Sequence, residues 1–323
     1  MQMTRRHALT AGAAALAVAS RLPAHAAQPA SGKQAPGFYR YRVGDIEVTA
    51  ISDGFASRPL DGFIPNAELA AVRQALDDAF LPNDRATIPF TTLVLNTGGR
   101  LVMIDSGNGD LAAPTSGVWM QNFRAAGFTP EAVDQVVISH FHGDHINGLR
   151  LKDGTTVFPR AEISVPAAEW DFWMNDANMA QASDGLKPGF ANVRRVFGPM
   201  AKDVTRYDAG KSPAPNVAAV AAVAAPGHTP GHTTFNIQSG TAGFMAMSDT
   251  TNHPALFVRN PDWSAVFDMD GAQARATRRR LLDMVTAERT PVGFYHAPFP
   301  ATGHIARDGT GFRLVPVNWT PAI

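Results

Sequence analysis

The chain contains no cysteine. That absence excludes disulfides, thiolate metal ligands and a cysteine nucleophile, so any metal must rest on imidazole and carboxylate groups. There is no surplus of either charge, since Lys plus Arg and Asp plus Glu number 28 each. No overall field therefore favours nucleic acid or an anionic membrane. Nor is there an apolar run of the about 20 residues needed to span a bilayer, so membrane insertion is not expected. The expected partner is a small-molecule substrate, with a homodimer also open. Hydrophobic residues make up 45% of the 323 positions, ample for a substantial core.

The N-terminus reads as an address. Thr4-Arg5-Arg6-His7-Ala8-Leu9 precedes an Ala-rich run from Ala11 to Ala19, and Ala24-His25-Ala26 supplies a small-x-small cleavage pattern. This is the form of a twin-arginine export signal. The expected organisation is a signal peptide at 1–26, a flexible mature N-terminus at 27–37 and one catalytic domain at 38–323, exported to the periplasm or secreted.

After residue 37 strands and helices interleave, which places the class as α/β or α+β. Phe38 to Val43 and Ile46 to Ile51 flank a Gly44-Asp45 turn, and Thr92 to Thr97 and Leu101 to Ile104 flank Gly98-Gly99. A helix is expected after a capping Asn66, with Leu69, Val72, Leu76 and Phe80 on one face. Helices are further expected at Trp119 to Ala126, Ala167 to Asn175, Asn192 to Tyr207 and Ala272 to Glu288. Strands are expected at Val136 to Ile138, Ile163 to Val165, Val217 to Ala224, Thr233 to Ile237, Phe244 to Met247 and Val292 to Tyr295.

The densest chemical signal is Ser139-His140-Phe141-His142-Gly143-Asp144-His145, because the whole chain has only 10 histidines. On a loop at the end of a buried strand, His140 and His142 can turn one way and Asp144 and His145 the other, which makes two neighbouring metal sites. The segment resembles the His-x-His-x-Asp-His motif of the metallo-β-lactamase superfamily. That family's further histidine is matched by His228 in Ala225-Pro226-Gly227-His228-Thr229-Pro230-Gly231-His232, its bridging carboxylate by Asp249, and its last histidine by His296. Asp105 matches an early aspartate that orients a ligand, and His232 is expected to stand behind the ligands. The resemblance covers about residues 40 to 317 and implies a four-layer αβ/βα sandwich. Within the family the likeness is greatest to the methyl parathion hydrolase branch, through Asp249-Thr250-Thr251-Asn252-His253, Phe267-Asp268-Met269-Asp270 and the run from His296 to Ile305.

The resemblance implies two divalent ions. His140, His142 and His228 would hold one, Asp144, His145 and His296 the other, and Asp249 would bridge them. Zinc suits such ligands best, and Mn, Co or Fe also fit. Two ions about 3.5–4 Å apart can share a hydroxide at neutral pH, so Asp144 and Asp249 are the expected catalytic residues and water the nucleophile. The expected reaction is hydrolysis of a neutral ester-like bond in a phosphotriester, aryl ester or lactone. A β-lactam hydrolase, or an iron redox protein of the same fold, is the alternative. Lactonases of the family that act on acyl homoserine lactones usually carry Tyr three residues after the bridging Asp, where this chain has Asn252. Candidates to surround the site are His253, His304, Trp119, Trp173 and Phe299, with Trp170, Phe172 and Trp263 as further aromatics.

Overall fold

Alternation along the strands sorts each residue to one of two faces, and that alternation builds the molecule. The computed structural model describes residues 30–214 and 220–323, so the expected signal peptide and the first residues of the strand expected from Val217 lie outside the described residues. Pro36–Ile323 is one compact unit. Among the described residues no helix is long and apolar enough to cross a membrane.

The first sheet has seven strands in sequence order: β1 Phe38–Val43, β2 Ile46–Pro59, β3 Arg85–Asn96, β4 Leu101–Ile104, β5 Gln135–Val137, β6 Glu162–Pro166 and β7 Val204–Tyr207. Pairing is antiparallel from β1 to β4 and parallel from β4 to β7. The second sheet has six strands: β8 Val220–Ala224, β9 Thr233–Ser239, β10 Ala242–Ala246, β11 Val292–Gly293, β12 Thr302–Asp308 and β13 Gly311–Pro316. Here only the β10–β11 pair is parallel.

Val102 and Ile104 of β4, Val137 of β5, Phe235 and Ile237 of β9 and Phe244 and Ala246 of β10 meet in the core between the sheets. Their neighbours face outward. Met103 and Val136 pack under α2 (Trp119–Ala125), α4 (Ala167–Trp173) and α6 (Lys187–Phe197), while Met245 and Met247 pack under α7 (Gly271–Glu288). The result is the four-layer αβ/βα sandwich of the α/β class. The other α-helices among the described residues are α1 (Leu69–Asp78), α3 (Gly143–Ile146) and α5 (Asp176–Gln181).

Both hairpins form with the expected turns, and Leu93 pairs with Ile104 in the second. Three expectations need correction. Asn66 does not cap α1; its Oδ1 accepts from Ser264 N–H at 2.7 Å and its amide donates to the Asp262 carbonyl. Phe80 leaves the apolar face because the helix has already ended, and at φ 56° it stands 97% exposed. The helix expected from Asn192 to Tyr207 starts earlier, at Lys187-Pro188, and stops at Phe197 before Gly198-Pro199. Proline fits a first turn but cannot continue a helix, so Val204–Tyr207 is free to join the sheet as β7.

Chain ends of five strands converge at one edge of the sandwich. β4 leads to Asp105, β5 to His140, β8 to His228, β10 to Asp249 and β11 to His296. Two of these exits bend through the left-handed region, at Asp105 (φ 62°) and Ser248 (φ 42°), a conformation costing roughly 1–3 kcal/mol each that persists only where neighbours over-determine it.

Because Phe235 is wholly buried between the sheets, Phe235→Ala should cost about 3–5 kcal/mol of unfolding free energy. Denaturant titration checks this, and a loss below about 1 kcal/mol would mean that the inter-sheet core is not the main support of the sandwich.

Candidate metal centre

Two groups of side chains place one donor atom each within 4.8 Å of one another: His140, His142, His228 and Asp249, and next to them Asp144, His145 and His296. All seven residues singled out as ligands in the sequence are therefore brought together. Asp249 touches both groups, with Oδ2 at 3.2 Å from His228 Nε2 and 2.9 Å from His296 Nε2, and Oδ1 at 3.2 Å from His145 Nε2. Within the first group His142 Nδ1 lies 3.1 Å from His140 Nε2 and 2.9 Å from His228 Nε2.

The outer nitrogen of four rings is fixed by a neighbour, and this decides what the inner nitrogen offers. His228 Nδ1–H donates to Asp268 Oδ1 at 2.9 Å, His145 Nδ1–H to Asp105 Oδ2 at 2.8 Å and His296 Nδ1–H to the Pro89 carbonyl at 2.8 Å. Ser139 Oγ–H donates to Asp105 Oδ2 at 2.8 Å, so its oxygen accepts from His140 Nδ1–H at 3.0 Å. All four Nε2 atoms then face the interior, against carboxylate oxygens, where each can hold a proton or give it up and offer a lone pair to a cation. His145 Nε2 and Asp249 Oδ1 are buried with no hydrogen-bond partner. Converging imidazole nitrogens and carboxylates are the donor set of a cation site, and the residues fit divalent metal.

The electrostatics point the same way. Burial works against a charged His228, yet the hydrogen bonds it donates to Asp249 and Asp268 outweigh it and lift the imidazole to about 9. Burial likewise opposes charge on His145, but Asp249, Asp144 and Asp105 hold its pKa well above the ordinary value. Asp249 is pushed up by burial and pulled further down by His296 and His145, ending well below the usual carboxylate range. The site draws in positive charge.

His232 has no lone pair to spare. Its Nδ1–H donates to the Ala225 carbonyl at 2.8 Å and its Nε2 accepts the Asp249 backbone N–H at 3.0 Å, so it fixes Asp249 from behind. Burial, and then the His228 charge, lower its pKa to about 3, which keeps it neutral. Asp105 accepts from Ser139 N–H at 2.7 Å as well as from Ser139 Oγ and His145, and so joins the β4 and β5 exits.

The sequence around His228 follows from packing. A Cβ at Gly227 (φ 123°) would lie 2.2 Å from Ala274 N in α7, and one at Gly231 would lie 2.4 Å from Glu169 N in α4. The loop is wedged between two helices, and only glycine fits at either contact. The Phe267-Asp268-Met269-Asp270 segment runs alongside it. Met269 N–H donates to the His228 carbonyl and Asp270 N–H to that of Gly227, while the Asp270 side chain caps α7. Buried Arg278 backs Asp268 at 3.4 Å and donates to the carbonyls of Thr250, Pro261 and Trp263.

A pocket of about 530 Å3 opens onto His142, Asp144, His228, Asp249 and His296, with Ala56, Ile88, Phe90, Leu111 and Phe267 as apolar wall and Arg58, Asn108, Asn147 and Asn252 as polar wall. The aromatic residues expected to surround the site are elsewhere. Trp119 stacks on Phe123 and donates its indole N–H to Thr92, and Trp173 is buried in the core with its N–H on Glu169. Trp170, Phe172 and Trp263 also belong to the core clusters. Phe299 is 40% exposed and does not line the pocket. His253 is buried, its Nδ1 accepts the Ala255 N–H, and burial followed by the His296 charge lowers it to about 4. His304 is exposed on β12 opposite Val315. Large rings on apolar helix faces went to the core, the commoner destination. Glu169 and Arg278 were not picked out by sequence, and Asp268 only as part of the Phe267-Asp268-Met269-Asp270 segment, because their partners are assembled only in the fold.

Residues 85–296 match the sequence model of the Metallo-beta-lactamase superfamily, a span that includes every residue of both donor groups. No curated protein matches the sequence significantly. Among solved structures, AidC, described as a dizinc quorum-quenching lactonase and solved with a product, is 26% identical at a TM-score of 0.82, over 88% of this chain and 98% of its own. The hydrolase AbOPH of the beta lactamase superfamily is 23% identical at a TM-score of 0.82, over 89% and 100%. A probable metal-dependent hydrolase from Staphylococcus aureus is 19% identical at a TM-score of 0.68, over 87% and 100%. The last two likenesses are of fold. With the family match spanning most of the chain and both donor groups within it, this protein belongs to the metallo-β-lactamase superfamily and is one of its metal-dependent hydrolases.

Proposed function

We propose that the enzyme uses two divalent ions, most simply zinc, to hydrolyse neutral ester-like bonds of the lactone, aryl ester or phosphotriester type. The observation that carries this reading is the meeting of two donor groups through Asp249 beside a pocket that sets an apolar wall of Ile88, Phe90 and Phe267 against a polar wall of Arg58 and Asn252. His140, His142 and His228 would hold one ion and Asp144, His145 and His296 the other. When bound, such ions supply Lewis acidity, polarising an ester or phosphoryl oxygen and bringing the pKa of water towards about 7.

The chain's own residues supply order and selection. The Ser139, Asp105, Asp268 and Pro89 partners fix each ring before substrate arrives, so little reorganisation is left for the reaction itself. Ile88, Phe90 and Phe267 favour a weakly hydrated, uncharged substrate, and Arg58 and Asn252 offer donors to orient it. The likeness to AidC supports a lactone substrate. The motifs shared with the methyl parathion hydrolase branch support a phosphotriester. Asn252, where Tyr is usual in acyl homoserine lactonases, favours a breadth of esters over that one lactone class.

The test is a panel of paraoxon-type triesters, aryl acetates, γ-lactones and β-lactams on metal-analysed protein. Two ions per chain and turnover of at least one of the first three classes are expected, with activity lost to chelator and restored by zinc. One ion per chain that does not rise with added Zn or Mn, or turnover confined to β-lactams, would overturn the reading.

Asp249→Ala and Asp144→Asn should leave the fold intact and lower the rate by at least about a thousandfold, since several kcal/mol of transition-state stabilisation is lost with the metal site. His232→Ala should retain both ions. Circular dichroism, metal content and rate on each variant make the comparison, and a folded, metal-depleted Asp249→Ala enzyme with undiminished hydrolysis would sink the mechanism.

We also propose export by the twin-arginine route, on the basis of Arg5-Arg6 and the apolar run after them. Mature protein recovered from outside the cytoplasm should begin near Ala27. Retention of Met1 there, or export that persists when Arg5 and Arg6 are both Lys, would refute it.

A further inference from the structure

We infer that Glu169 is a positioning residue whose carboxylate ties the His140–His142 loop to the His228 loop, and so sets one of the two metal sites across the junction of the two sheets. The inference rests on the metal-site reading above.

The side chain sits on α4 and is wholly buried. Its Oε2 accepts the Phe141 backbone N–H at 2.9 Å and the Trp173 indole N–H at 2.9 Å, and its Oε1 accepts the Gly231 backbone N–H at 2.6 Å. These partners are N–H donors, not a cationic side chain. A buried carboxylate is costly unless such charge-assisted bonds satisfy it, so the arrangement needs a reason beyond filling space.

The reason lies in what the donors belong to. Phe141 stands between His140 and His142, on the loop that leaves β5 of the first sheet, and its own ring stacks on Phe197 in the core. Gly231 follows His228 on the loop between β8 and β9 of the second sheet. One carboxylate therefore grips, at backbone level, both loops whose imidazoles stand 2.9 Å apart at His142 and His228. Gly231 is the residue that lets the second loop come close enough to be gripped, since a Cβ there would collide with the Glu169 backbone. The second donor group is held by other partners: Asp105 on His145, the Pro89 carbonyl on His296, and the Tyr295 hydroxyl donating to the Asp144 carbonyl. Loss of Glu169 should loosen one site and spare the other, which a merely structural role would not do.

The experiment is a competitive chelator titration of zinc-loaded wild type, Glu169→Gln and Trp173→Phe. Gln keeps one acceptor oxygen but turns an amide N–H2 towards a loop N–H. Trp173→Phe removes a bond to the same carboxylate without touching either loop. In Glu169→Gln one zinc equivalent should weaken about ten- to hundredfold while the other stays near its wild-type value, and Trp173→Phe should hold both. A folded Glu169→Gln protein that keeps both equivalents, or weakens both alike, overturns the inference. If that variant does not fold, amide hydrogen exchange on zinc-stripped wild type decides. Phe141 and Gly231 amides should be protected there, and exchange at open-chain rates overturns the inference. Wild type that binds no pair of zinc ions overturns the metal reading itself, a result distinct from these.

Discussion

A carboxylate buried among imidazoles governs this structure. Asp249 is 5% exposed, and a charge removed from water costs several kcal/mol unless positive charge and hydrogen bonds meet it. His145, His228 and His296 all face it within 3.2 Å. Those rings can face it only because each is turned by a partner on its far side, and each partner sits on a different element. The cost of one charge is thus spread through Asp105, Asp268, Pro89 and His232 into both sheets and into α7.

The sandwich supplies the means. Strands that alternate between two apolar faces end at one edge, and the loops leaving them need not be long to meet. Parallel pairing of β4 with β5 and of β10 with β11 sends successive carboxyl ends the same way, and ligands gather where such ends gather. Backbone bonds then close the gap between the sheets: Thr233 N–H reaches the Ser139 carbonyl, and Thr91 N–H reaches that of Tyr295. The site is a seam, and its geometry belongs to neither sheet alone.

Much of the seam was legible in sequence because it is local. His140 to His145 carry their spacing with them, and the family resemblance then points to His228, Asp249 and His296, each after an expected strand. The hairpins at Gly44-Asp45 and Gly98-Gly99 were legible for the same reason, since their turns are written in two residues. The four-layer architecture came from resemblance; alternation alone gives faces, not layers. Other features depend on what arrives from afar. Glu169 reads as an ordinary helix carboxylate until Phe141 and Gly231 are brought to it, and the contact of Asp268 with His228 likewise exists only in the fold. The aromatic residues were misplaced because a ring's destination is decided by competition for core volume, which Trp119 and Trp173 won and Phe299 did not enter. The bounds of α6 are written in Pro188, which suits its first turn, and in Gly198-Pro199, which ends it, so helical spacing from Asn192 onward overruns those signals.

Each donor group draws on both halves of the chain, for His140 and His142 join His228 and Asp249, and Asp144 and His145 join His296. On the proposed reading an ion there closes a covalently distant loop, since His142 and His228 are 86 residues apart. Staples of that span in other proteins are disulfides, which stabilise by on the order of 4 kcal/mol through the freedom they deny the unfolded chain. A protein with no cysteine to oxidise or reduce would then have its cross-link set by metal supply instead of redox state, and its durability would follow the metal content of its surroundings.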